Sequence, residues 1–180
     1  VAAAEFGLPI APGTLRNLKK CPIGDRNWTD ESRELFIRLL ASGPALLNVW
    51  EDIDFIDVPG KLIPEWLGVR NRPSASAAHR YTIDRHMVEV VTRLGRETPS
   101  GGRYDDRHYE ALLLAGILHD IGKRPGGANH AAEGARHATV VVERMGFDRD
   151  IVRWVTLLVR EHLTLSEFAT GRNPNDPNVG

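Results

Sequence analysis

From residue 81 onward the apolar positions recur at helical spacing. Ile83, Met87, Val90, Val91 and Leu94 share one stripe, which predicts a helix from Thr82 to about Leu94, ended by Gly95. After a flexible loop at Pro99-Ser-Gly-Gly102, a helix starting at Asp105 or Asp106 carries the apolar run Ala111–Leu118 and reaches His119-Asp120. Gly122 and Pro125-Gly126-Gly127 break the chain there. A further helix covers about His130 to Met145, and Asp148 starts another that reaches His162. Upstream, Thr29 with Asp30-Glu31 is a helix start, with acids at the positive end of the dipole; Leu35, Ile37, Leu39 and Leu40 follow, up to Gly43. A second upstream helix runs from Pro44 to about Ile53, with Leu46, Leu47 and Trp50 on one face. Residues 1–28 hold Pro9, Pro12, Gly13, Pro22 and Gly24 and are expected to be mostly irregular. Residues 58–75 read as a connector with a short helical turn at Ile63-Pro-Glu-Trp66. No stretch alternates long enough to argue a strand, so the fold class is all-α. The expected organisation is an N-terminal helical or irregular linker over 1–60 and one helical domain over 61–180.

Composition narrows the function class. The 180 residues carry 23 basic and 24 acidic side chains, a net charge of -1, so no global field favours nucleic acid or a membrane surface. No apolar stretch approaches the roughly 20 residues that span a bilayer. The single Cys21 excludes an internal disulfide and fits a reducing compartment, which makes the cytoplasm the expected location. The chain begins at Val1 without an initiator Met and ends abruptly at Gly180, as expected of a piece of a longer multidomain protein.

Candidate chemistry centres on His119-Asp120-Ile121-Gly122-Lys123. It puts an imidazole, a carboxylate and an ammonium within five residues at the end of an apolar helix. Helical geometry turns other histidines the same way. His86 follows Ile83 by three and precedes Val90 by four, at the edge of its stripe. His162 follows Leu158 by four and Val155 by seven, on the buried face, and His130 opens the helix after the glycine loop. A lone inward histidine is more often a hydrogen-bonded core residue, and His79, His108 and His137 are read that way. An adjacent His-Asp pair is different, because burying two polar groups costs several kcal/mol unless they are paired or metal-bound. Imidazole and carboxylate together suit Mn, Mg, Fe or Zn without choosing among them. The lack of a Cys at the site argues against a structural zinc knot.

These residues resemble a known pattern. His86, His119-Asp120 and a late Asp are similar to the H…HD…D signature of the HD superfamily of metal-dependent phosphohydrolases, which are helical bundles. Tyr81-Thr-Ile-Asp-Arg-His86, Leu118-His-Asp-Ile-Gly-Lys123 with Gly126-Gly127 and His130, and Val159-Arg-Glu-His-Leu163 through Ser166, Arg172 and Asp176-Pro177 narrow the likeness. They resemble segments of the bifunctional PII uridylyltransferase/uridylyl-removing family. The sequence departs from that pattern at Asn173, where an acid is usual, at Ala128-Asn129 before His130, and by one inserted residue there. The nucleotidyltransferase motif of the family, a Gly-Ser followed by paired Asp, is absent.

The resemblance implies a divalent metal held by His86, His119, Asp120 and Asp176. Asp120 would bridge to a second ion held by His130 and His162. Lys123 would stabilise charge on phosphate oxygens or help the leaving group depart. The activity implied is hydrolysis of the phosphodiester joining UMP or AMP to a tyrosine of a PII signalling protein. That protein and other domains of the same longer chain are the partners implied, with no membrane and no nucleic acid. Two other readings remain: a phosphohydrolase of free nucleotides, and an HD module that relays a signal without catalysis.

Overall fold

The computed structural model describes residues 1–22, 28–74, 81–95, 106–124 and 129–164. Among them are nine α-helices and a 3-10 turn, with no strand beyond an isolated bridge between Pro73 and Thr82. The helices are α1 (Ala2–Glu5), α2 (Pro12–Lys20), α3 (Asp30–Leu40), α4 (Ala45–Phe55), α5 (Val58–Leu62), α6 (Ile83–Leu94), α7 (Asp106–Leu118), α8 (His130–Arg144) and α9 (Arg149–Arg160). The 3-10 turn is Pro64–Gly68. The all-α expectation holds. The loop at 99–102, the helix start at Asp105, the Gly126-Gly127 pair, His79 and the tail that holds Asp176 lie outside the described residues.

α7 is the centre of the fold. Tyr109, Ala111 and every residue from Leu113 to Leu118 are buried, so the apolar run faces neighbours on all sides. α6 and α9 pack along it, α8 lies against α9, and α4 backs α6. One continuous apolar core results, with members from Ala4 to Val159. Burial of this kind, at roughly 25 cal/mol per Å² of apolar surface, is the main force holding short helices that would be marginal alone.

Helix ends follow local chemistry. Thr29 and Ser32 form a reciprocal capping box, with the Ser32 amide donating to Thr29 Oγ1 at 3.2 Å and the Thr29 amide donating to Ser32 Oγ at 2.7 Å. Asp148 accepts from the amides of Asp150 and Ile151 to start α9. Thr82 stands at the N-cap of α6 in extended conformation, but its side chain makes no capping bond.

Two sequence expectations need correction. The described part of residues 1–28 is largely helical, because Pro12 serves as a first-turn residue of α2 rather than as a breaker, and its missing N–H costs nothing there. The connector holds another short helix, α5, started in the same way with Pro59. On α3 the buried residues are Phe36, Leu39 and Leu40, and Leu35 lies at the surface.

Candidate metal centre

His119 and Asp120 stand in the turn just past the C-terminus of α7, with Ile121, Gly122 and Lys123 completing it. The turn is closed by the Lys123 amide donating to the Asp120 carbonyl at 2.9 Å. Arg124 donates from one guanidinium nitrogen to the carbonyls of Ile121 and Lys123, satisfying oxygens at the break. Asp120 is only 1% exposed, and Ile121 beside it is fully buried.

Four histidines surround this carboxylate. On Oδ2, His119 Nε2 stands at 3.4 Å and His86 Nε2 at 4.0 Å. On Oδ1, His162 Nε2 stands at 3.5 Å and His130 Nε2 at 3.8 Å. The Lys123 ammonium pairs with Oδ2 at 2.7 Å. The structure thus brings together six of the seven sequence-predicted site residues, and Asp176 lies outside the described residues. Five of the six form two groups able to hold an ion, His86–His119–Asp120 and Asp120–His130–His162, which share the one carboxylate.

The donors are orientated as ligands. His119 Nδ1 lies 2.8 Å from the Gly116 carbonyl and His162 Nδ1 lies 2.7 Å from the Val159 carbonyl. A carbonyl can only accept, so each Nδ1 carries the proton. In the neutral ring each Nε2 then offers its lone pair on the Asp120 side, as a metal ligand must. Asp120 Oδ1, His130 Nε2 and His162 Nε2 are buried and make no hydrogen bond. Buried polar atoms without partners are rare in folded proteins. Three of them meeting at one point fit a divalent cation. Two surface clefts among the described residues, one between α4 and α6 and one beside α3 and α7, do not include these side chains.

Electrostatics point the same way. Burial works to raise the Asp120 carboxyl, but the imidazoles of His119 and His162 and the Lys123 ammonium hold it well below the usual carboxylate range. Burial lowers His130, opposed by Asp120 and reinforced by Lys123, which keeps that imidazole neutral. For His162 burial also pulls downward, yet Asp120 and the Val159 carbonyl prevail and raise it.

Which elements aim these side chains differs partly from expectation. α9 ends at Arg160, so His162 sits in the turn beyond it, and its buried neighbour is Val159 rather than the half-exposed Leu158. Asn129, one of the departures before His130, is the N-cap of α8: its side chain accepts from the Ala132 amide at 3.0 Å. An Asp there would cap in the same way and add charge. Asp84 was missed as a supporting residue. It is buried, accepts from the Asn71 amide at 2.7 Å and the Arg85 amide at 2.9 Å, and so ties the start of α6, two residues before His86, to the preceding segment. An acid in the first helical turn was its available signal. His108 stacks on Trp154 with centroids 4.2 Å apart, and His137 pairs with Glu133 at 3.2 Å, so neither joins the centre.

The HD domain family matches residues 83–177, just over half of the sequence and the stretch that carries all of these side chains. The chain belongs to the HD domain family. It is 38% identical over 179 residues to the bifunctional uridylyltransferase/uridylyl-removing enzyme of Streptomyces coelicolor, covering 98% of this chain and 20% of that enzyme. It is 36% identical to the enzyme of that name from Mycobacterium tuberculosis, over 98% of this chain and 21% of the relative. For the Corynebacterium glutamicum enzyme the identity is 30%, over 97% of this chain and 24% of the relative. The chain thus spans about a fifth to a quarter of the length of these curated relatives. No solved structure matches it.

Proposed function

We propose that this HD domain hydrolyses the phosphodiester linking a nucleoside monophosphate, UMP or AMP, to a tyrosine of a PII signalling protein. The observation that carries the proposal is the pair of ligand groups sharing Asp120, in a chain similar over nearly its whole length to part of uridylyl-removing enzymes. His86, His119 and Asp120, with Asp176, would hold one divalent ion, and Asp120, His130 and His162 a second. Such ions supply Lewis-acid charge and a water activated at neutral pH.

The chain's own residues do the rest. The Gly116 and Val159 carbonyls fix the tautomer and tilt of His119 and His162, so the site is organised before substrate arrives. Lys123, about one-fifth exposed, holds its ammonium against Asp120 Oδ2 and can turn towards a phosphate oxygen as charge builds there. A tyrosine leaving group, with a pKa of about 10, needs less proton donation than an alkoxide, which suits Lys123 to an electrostatic role.

The test is direct. The purified chain is analysed for bound metal and assayed for release of UMP and AMP from nucleotidylated PII protein. Release that disappears in His119→Ala and Asp120→Ala, with metal content falling alongside, supports the reading. Unchanged metal and hydrolysis in both variants overturns the site. Turnover confined to free nucleotides moves the substrate to that class, and metal binding with no turnover of either substrate favours a relay module.

A further inference from the structure

We propose that Gly134 is a positioning residue for the second ligand group, acting through a bare backbone contact with Gly122 that sets the distance of His130 from Asp120. The inference rests on the two-ion reading of the centre. Gly122 lies two residues past Asp120, and Gly134 lies one helical turn past His130. A Cβ added at Gly122 would overlap the Gly134 amide nitrogen and stand 2.5 Å from the His130 carbonyl oxygen and 2.7 Å from the Gly134 Cα. These are backbone atoms, which cannot swing aside. The turn that carries His119 and Asp120 therefore rests directly on the first turn of α8, with no side chain between them.

Gly134 occupies the junction of every element of the second group. A Cβ there would meet the His119 carbonyl oxygen at 3.2 Å, Val159 Cγ1 at 3.4 Å and the Gly122 amide nitrogen at 3.5 Å. The first and last belong to the turn that presents Asp120. Val159 is the residue whose carbonyl holds His162 Nδ1. A methyl group at 134 would thus press together on the Asp120 turn and the His162 anchor, while His130 moves with α8 itself. Oδ1 of Asp120 stands 3.8 Å from His130 Nε2 and 3.5 Å from His162 Nε2, so a shift of a few tenths of an ångström changes the size of this cage. In the first group His86 comes from α6, which supplies none of the three nearest contacts of that Cβ, so there only His119 and the shared Asp120 are pressed.

Calorimetric titration of the metal-free protein with manganese chloride tests this, using Gly134→Ala, Gly122→Ala and a His130→Ala control that identifies the second ion. The expected result for Gly134→Ala is at least a tenfold rise in the dissociation constant of that ion, with less than a threefold change for the other. Its melting temperature in chelator should not fall, since Ala favours the interior of a helix over Gly. Gly122→Ala, with its harder clash, should lose the second ion altogether wherever it folds. Unchanged affinity for both ions in Gly134→Ala overturns the inference. So does weakening of both ions together with a lower melting temperature in chelator, which marks a merely structural glycine. A wild type that binds fewer than two ions overturns the two-ion reading, and this inference with it.

Discussion

Replacing Asp120 by Asn tests the centre most sharply, because the amide keeps the shape of the carboxylate and removes its charge. Asp120 is almost completely buried, and its Oδ2 lies 2.7 Å from the Lys123 ammonium. Two unit charges at that distance attract by about 6 kcal/mol at an effective dielectric of 20, before desolvation is subtracted. Removing one partner of a buried ion pair costs about 3–5 kcal/mol net. Lys123 can turn partly into water, which places the cost near the lower figure, about 3 kcal/mol. For a domain of this size each kcal/mol moves the melting temperature by about 2–4 °C. The metal-free Asp120→Asn protein should therefore melt about 6–12 °C below the parent. A second increment comes from metal: a ligand at 100 times its dissociation constant stabilises by about 2.7 kcal/mol. That increment should appear in the parent and vanish in the variant, since both ligand groups share this carboxylate. Differential scanning calorimetry in chelator and in excess manganese measures both shifts. A variant that melts with the parent in chelator and gains as much from metal would refute the reasoning.

Other perturbations report on single parts of the design. His162→Gln should remove one ion of two and leave the His86–His119–Asp120 group loaded, which elemental analysis after dialysis reads directly. The raised His162 predicts opposite pH trends with and without metal. In chelator its contribution to stability is fully present below the ordinary imidazole value of about 6.5 and is lost as pH rises through the higher folded value. Metal must displace that proton, so affinity falls on acidification beginning above pH ~6.5, and calorimetry in buffers of different ionisation enthalpy should detect proton release. Asp148→Ala removes the α9 cap and the Arg107 ion pair, for an expected loss of about 1 kcal/mol, or 2–4 °C. Burial works to raise the Asp148 carboxyl, but the Ile151 amide, Arg107 and the Asp150 amide together outweigh it and lower it. Its stabilisation is therefore present above the ordinary carboxylate value of about 3.9 and lost as pH falls through the depressed one, visible as acid melting that Asp148→Ala shows less steeply.

Much of the fold and most of the centre are legible in the order of residues, because they depend on local rules. A 3.6-residue period tells which side of a helix is buried, and that is enough to predict α6 to α9 and to turn His86 inward. Adjacent His119 and Asp120 at the end of an apolar run already demand a partner for buried polarity. Proline is less legible: the same residue breaks one helix and begins another, and Pro12 and Pro59 do the second. What only tertiary packing decides is that Asp120 stands among four imidazoles from separate elements, with Oδ2 given to one pair and Oδ1 to the other. That division depends on how closely the Asp120 turn rests on α8, hence on two glycines twelve positions apart, of which Gly122 looks in sequence like an ordinary break and Gly134 like one more helix position. Periodicity records which face of a helix is apolar. It carries nothing about the distance between two backbones, and that distance sets the size of a metal cage.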